Sequence, residues 1–176
     1  SEVLGGTWDA LLAGRADLGL GGAEAPPGGS DSPGFKSREL GYIEMVFVVA
    51  PDHPLAAVDI PLTAAMIRGH RAIAVADTSR SLPAMTIGLL HGQDVLTLPT
   101  LEHKISALMR GLGCGYVPRS LINRQLEAKT LVLKATSEPV RRGMSHYQWN
   151  AEAEGNAMRW FLQQLADPVV RFELVS

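Results

Sequence analysis

The sequence predicts an α/β fold with largely parallel strands, and three observations carry that prediction. Short apolar runs alternate with segments of helical periodicity along most of the 176 residues. Hydrophobic residues make up 46 %, enough for a sizeable core, and charged residues at 19 % are too few for a disordered chain. The runs MVFVVA (Met45–Ala50) and RAIAVA (Arg71–Ala76) are nearly continuous, the pattern of strands buried on both faces. The length fits one domain or two small lobes.

The elements follow in order. Thr7 is expected to cap a first helix, with Asp9 in the first turn, where a carboxylate favours the positive end of the dipole. Trp8, Leu11 and Leu12 give that helix one apolar face, and Gly14 stops it. A small-residue strand follows at Asp17–Gly21, then a Pro- and Gly-rich loop at Ala25–Gly34. Phe35–Ala50 is extended, and Pro51–Pro54 marks a first crossing between lobes.

Ile60–Gly69 predicts a short helix with Thr63 near its start. Arg71–Ala76 and Asp94–Pro99 are strands, the first ending in the polar Asp77-Thr78-Ser79. Thr100 caps the best helix, on which Leu101, Ile105, Leu108 and Leu112 share a face. Gly111–Gly115 ends it, Tyr116-Val117 is a short strand, and Pro118 opens the next helix. Leu131–Lys134 and Met144–Trp149 are strands, and Gly155–Asp167 a last helix with Met158, Phe161, Leu162 and Leu165 on one face.

Several chemistries find no support. A net charge of −2 without a basic run gives this segment no means to grip a nucleic-acid backbone. Cys114 is the only cysteine, which rules out an internal disulfide and suits a reducing compartment. It follows a helix C-terminus, where the dipole opposes a thiolate, so a buried structural role is favoured over a nucleophile. The glycines at 111–115 follow a helix and precede a strand, the reverse of a phosphate-cradling loop.

His53, His70, His91, His103 and His146 lack ligand-like spacing, so no metal is expected. No Gly-x-Ser-x-Gly elbow is present, and we expect no catalytic residue, enzyme activity or cofactor. No apolar run is long enough to span a bilayer, and no secretory signal opens the chain. A cytoplasmic protein is the expectation.

Ligands of open α/β sheets sit beyond the carboxyl ends of strands, where helix-start N–H groups meet anions. Thr78 and Ser79 follow one strand and Thr100 another, so their hydroxyls suit a carboxylate or a neutral polar group. On local sequence alone, capping and turn formation explain the same residues more simply.

Three landmarks then carry a resemblance. WDALLAGRADLGLGG (Trp8–Gly22), ELGYIEMVFVVAPDHPLA (Glu39–Ala56) and LEHKISALMRGLGCGYVPRSL (Leu101–Leu121) occur in this order at suitable intervals. Together they resemble the C-terminal effector-binding domain of LysR-type transcriptional regulators, whose hallmarks are L..G..DLAI, V....HPLA and V..GLGIG.LP..L. The likeness covers nearly the whole chain. Gly19 and Gly21 depart from a strand usually richer in alanine and isoleucine, and Cys114 from an aliphatic position.

The resemblance implies a type 2 periplasmic-binding-protein-like fold: two Rossmann-like lobes joined by two crossover strands. Lobe I would hold residues 1–50 and 150–176, lobe II 54–142, and the crossovers 51–53 and 143–149. It implies that the first lobe lacks its opening strand and helix, with Ser1–Leu4 the tail of a second strand. DNA binding would belong to an N-terminal helix-turn-helix absent from this chain.

The implied function is sensing of a small anionic metabolite in the cleft, lined by Gly22, Ala23, Thr78, Ser79, Thr100 and Leu101. The family implies a homodimer or homotetramer, with Trp8 and Leu11 meeting Leu101, Ile105 and Leu108 across the contact; those side chains equally suit the core beneath. The alternative is a periplasmic-type solute-binding protein for a small anion, which shares the architecture.

Overall fold

The computed structural model describes residues 2, 4–28, 32–83, 85, 88–138, 141–153 and 155–175. Residues 29–31 of the expected loop, and Ser1 and Val3 of the expected strand tail, lie outside them. Leu4 is in a turn with φ +56°, not in a strand.

Six helices are described: α1 (Gly6–Leu12), α2 (Ala64–Arg68), α3 (Leu101–Met109), α4 (Asn123–Glu127), α5 (Asn156–Ala166) and α6 (Pro168–Val175). The strands are β1 (Leu18–Gly22), β2 (Phe35–Val49), β3 (Ala72–Val75), β4 (Val95–Leu98), β5 (Gly115–Pro118), β6 (Val132–Lys134) and β7 (Arg141–Asn150). The chain forms two compact units. One comprises Ser1–Ile43, Asp77–Met85 and Gly143–Ser176, the other Glu44–Ala76 and Thr86–Arg142.

In the first unit β1 runs antiparallel to β7, pairing Leu18 with Trp149 and Gly19 with Gln148. One face of β7 presents Tyr147 and Trp149, whose rings stack at 5.7 Å, to Leu40, Met158 and Leu165. Burying such aromatic and aliphatic side chains is the main stabilising term, worth about 1.5–3 kcal/mol each. The other face of β1 receives α1, whose Trp8 and Leu11 are buried. Gly19 is needed there. A β-carbon would stand 2.6 Å from Thr7 Cγ2 and 3.1 Å from Leu11 Cδ1.

In the second unit Met45–Val48 pair antiparallel with β5, and Phe47–Val49 with β6 on the other edge. β3 and β4 are parallel, and Cys114 joins β3 through Ile73 N–H to Cys114 O and Cys114 N–H to Arg71 O, both at 2.9 Å. Val48, Ile73, Leu108 and Val117 fill one core; Val49, Leu62, Cys114 and Tyr116 belong to another.

The α/β class and its type 2 periplasmic-binding-protein-like architecture hold, with corrections. Among the described ladders, β1–β7, β2–β5 and β2–β6 are antiparallel and β3–β4 is parallel. Local strand–helix spacing reads as parallel units, but long β2 and β7 meet neighbours running the opposite way. The segment 77–85 is part of the first unit, where Ser81 N–H donates to Asp9 Oδ1 of α1. β2 passes from the first unit to the second between Ile43 and Glu44.

Three local expectations also shift. The chain enters α1 through Gly5 already in helical conformation, so Thr7 lies inside the helix and caps nothing. Gly111 at φ +69° closes α3 early, with Gly111 N–H on Leu108 O and Leu112 N–H on Ala107 O, a Schellman stop. Leu112 is therefore outside the helix and exposed. Pro118 ends β5 and leads into a single 3-10 turn before α4.

Candidate ligand-binding site

The expected ligand contacts divide between the units. Gly22, Ala23, Thr78 and Ser79 lie in the first, Thr100 and Leu101 in the second.

In the first unit, 77–85 packs on the opening of α1. A β-carbon at Gly6 would collide with Thr78 Oγ1, and one at Gly5 would stand 3.1 Å from Asp77 Oδ2, so the two glycines permit the approach. Thr78 is hydrogen-bonded to the Glu2 carboxylate and, with Arg15, holds that carboxyl below its ordinary range. Arg15 spans Glu2 at 3.2 Å and Asp9 at 2.5 Å. Asp9 is buried, and its carboxyl is held low chiefly by the Ser81 hydroxyl, which donates to it. Ser79 serves the turn: its hydroxyl donates to Leu82 O and accepts from Leu82 N–H.

Gly22 and Ala23 meet a different group. The Ala23 carbonyl accepts from Trp8 Nε1 at 2.9 Å and Gln148 Nε2 at 2.7 Å. Gln148 is fully buried, and a β-carbon at Gly22 would come within 2.8 Å of its Nε2. Because Nε2 donates to a carbonyl, the amide's orientation is fixed and Oε1 is the atom without a partner. Ser145 Oγ and His146 Nδ1, on the same strand, are also buried and unpaired among the described residues. Orphan polar atoms in a native core call for water or a ligand. The sequence signal was MSHYQWN, a strand with polar residues where a two-sided core would be apolar.

In the second unit Thr100 caps α3, its Oγ1 accepting from His103 N–H at 3.3 Å and lying 2.9 Å from His103 Nδ1. Leu101 is partly buried. One turn on, Lys104 is buried at 7 % exposure, between Leu101, Ile105 and Leu108 on the apolar stripe. That interruption of the stripe is visible in the sequence. Cys114 is fully buried, donates to Arg71 O at 3.5 Å, and burial pushes its thiol up to about 11. No group of three or more metal-ligating side chains occurs among the described residues.

Of the expected dimer contacts, four are buried and Leu101 is partly buried. Trp8, Leu11 and Leu108 are at 3 %, 2 % and 0 % exposure, and Ile105 at 9 %. The large apolar side chains that α1, α3 and its C-terminal turn leave exposed are Leu12, Met109 and Leu112.

The chain belongs to the LysR substrate binding domain family, whose model matches residues 3–168. It is 39 % identical over 168 residues to the HTH-type transcriptional regulator YeeY of Escherichia coli K12, covering 93 % of this chain and 52 % of YeeY. The chain thus spans about half the length of the curated relatives it matches. The regulatory domain of the LysR-family regulator MetR from N. meningitidis superposes with TM-score 0.65 at 20 % identity, over 94 % of this chain and 74 % of that one. The effector-binding domain of QuiR in complex with shikimate gives 0.63 at 15 % identity, over 93 % and 74 %.

Proposed function

We propose that this chain is the metabolite-sensing part of a bacterial LysR-type transcriptional regulator, and that it binds a small anionic effector to control DNA binding and transcription by the whole protein. The observation that carries the reading is the match to HTH-type regulators along nearly all of the chain. It favours a regulator over a periplasmic-type solute-binding protein.

The candidate contacts are Gly22, Ala23, Thr78 and Ser79 in the first unit and Thr100 and Leu101 in the second. Buried Gln148, His146 and Ser145 add unpaired polar atoms to the first set. The QuiR complex with shikimate is an instance of the same fold holding a small carboxylate. The protein acts as a homodimer or homotetramer, through α1 and α3 surfaces that include exposed Leu12 and Met109. DNA is reached through a helix-turn-helix outside this chain, in the cytoplasm, without catalysis. Among the described residues no helix is long and apolar enough to cross a membrane.

An effector shifts an equilibrium only by its difference in affinity for the two states. The test is a thermal-shift screen of small carboxylates, followed by promoter-DNA binding by the helix-turn-helix-bearing protein with and without each hit. A hit that raises the melting temperature and changes DNA affinity supports the reading. Hits that leave DNA affinity untouched, or no hit at all, would sink it.

A further inference from the structure

We propose that the effector is a hydroxy acid, and that Gln148 recognises its hydroxyl group by accepting the hydroxyl proton at Oε1. The inference rests on the sensing role proposed above and names the chemistry of one contact in the first unit.

β7 carries His146 and Gln148 two residues apart, so both side chains leave the same face of the strand. Opposite them β1 offers glycine: Gly19 pairs with Gln148 and Gly22 with His146. A β-carbon at Gly22 would stand 3.0 Å from Gln148 Oε1, and one at Gly19 3.2 Å. Oε1 is thus directed at a stretch of β1 that bears no side chain. Gln148 is at 0 % exposure and His146 at 8 %, yet neither Oε1 nor His146 Nδ1 has a hydrogen-bond partner among the described residues.

The other end of the amide fixes what Oε1 can take. Nε2 donates to Ala23 O, which also accepts from Trp8 Nε1, so Ala23 has both lone pairs engaged and Oε1 is left as a pure acceptor. A carboxylate brings no proton and cannot pair with it. An ammonium brings protons but also a charge that burial penalises unless an anion answers it. The carboxylates before and within α1 are already engaged, Glu2 by Arg15 and Thr78, Asp9 by Arg15 and Ser81. A hydroxyl supplies the proton without the charge. The acid group that makes the effector anionic therefore binds away from Gln148.

The experiment compares three acids that differ in one group, glycolate, acetate and glycine, on the intact ¹⁵N-labelled protein. The Gln148 side-chain amide is found by its proximity to the Trp8 indole N–H, since both donate to Ala23 O. Glycolate should shift that amide signal and bind about tenfold or more tighter than acetate, the discrimination expected of one buried hydrogen bond. Glycine should bind more weakly than glycolate.

In Gln148→Met the preference for glycolate over acetate should collapse towards one, while Trp8 still holds Ala23 O. The shift in the parent protein decides the matter even where that variant does not fold. Failure of glycolate to bind, equal affinity for glycolate and acetate, or an unmoved Gln148 signal on glycolate binding would overturn the proposal and leave Oε1 to a structural water. Tighter binding of glycine than of glycolate would overturn the choice of a neutral hydroxyl. Failure of the regulator reading is separate: it shows in DNA affinity and leaves these affinities and shifts unchanged.

Discussion

Ser81 holds Asp9 from the far side of the first unit's sequence, 72 residues away. Its N–H donates to Oδ1 at 3.0 Å and its hydroxyl to the same oxygen, while Arg15 takes Oδ2 at 2.5 Å. This contact ties 77–85 to α1.

The Asp9 carboxyl is depressed in the folded state, so its contribution is present above the unfolded value near 4 and is lost as pH falls through the folded one. Ser81→Ala should lower stability at pH 7 and flatten its decline below about pH 4. Urea midpoints measured from pH 2 to 7 check both changes. An acid limb as steep as the parent's would refute the assignment.

His53 should destabilise the fold on mild acidification. It is buried, its Nδ1 accepts Leu55 N–H at 3.2 Å, and its ring lies 4.9 Å from that of His70. Burial, then repulsion from His70, lowers its affinity for a proton, against a smaller opposing pull from Asp52. The unfolded chain therefore binds the proton more readily, and stability present above about pH 6.5 declines below it. His53→Gln should flatten that slope between about pH 6.5 and 5, read from thermal midpoints.

Gly113→Ala should cost about 3 kcal/mol, because its β-carbon would collide with the Arg71 carbonyl and stand 2.9 Å from Ile73 Cδ1. Gly14→Ala is the contrast: its φ of +66° is unfavourable, but nothing lies within 4 Å, so about 1 kcal/mol is expected. Chemical denaturation of both variants gives the difference directly.

Thr100→Val should remove the α3 cap at a cost of about 1 kcal/mol, and Thr100→Ser should retain it. If Thr100 also contacts the effector, valine weakens binding beyond what the lost cap explains, as calorimetry on both variants would show.

Much of the fold was legible in the sequence because its signals are local. Thr63 and Thr100 cap helices as their spacing predicts, and continuous apolar runs mark β3 and the buried end of β2. Strand direction was not legible, since a neighbour's direction depends on pairings such as Gly19 with Gln148, far apart in sequence. α6 was missed although Asp167 and Pro168 signal its start, with Asp167 Oδ1 accepting Val169 N–H at 2.8 Å. Of the candidate contacts, the hydroxyls were named from their place after strands. Gln148 and Lys104 were passed over although both stand out as polar letters in apolar settings, because the letters alone do not say which face of the strand or helix is buried.

The discontinuity of the first unit has a consequence for synthesis. Its opening 43 residues must wait for β7, α5 and α6, which begin about a hundred residues later. At ribosomal speeds of about 5–20 residues per second, that is roughly 5–20 s during which the underside of β1 is uncovered. The second unit interrupts the first, and everything from Glu44 to Arg142 except 77–85 leaves the ribosome before its host can close. A nascent chain arrested before Gly143 would thus leave Leu18 and Leu40 without the β7 and α5 side chains that cover them.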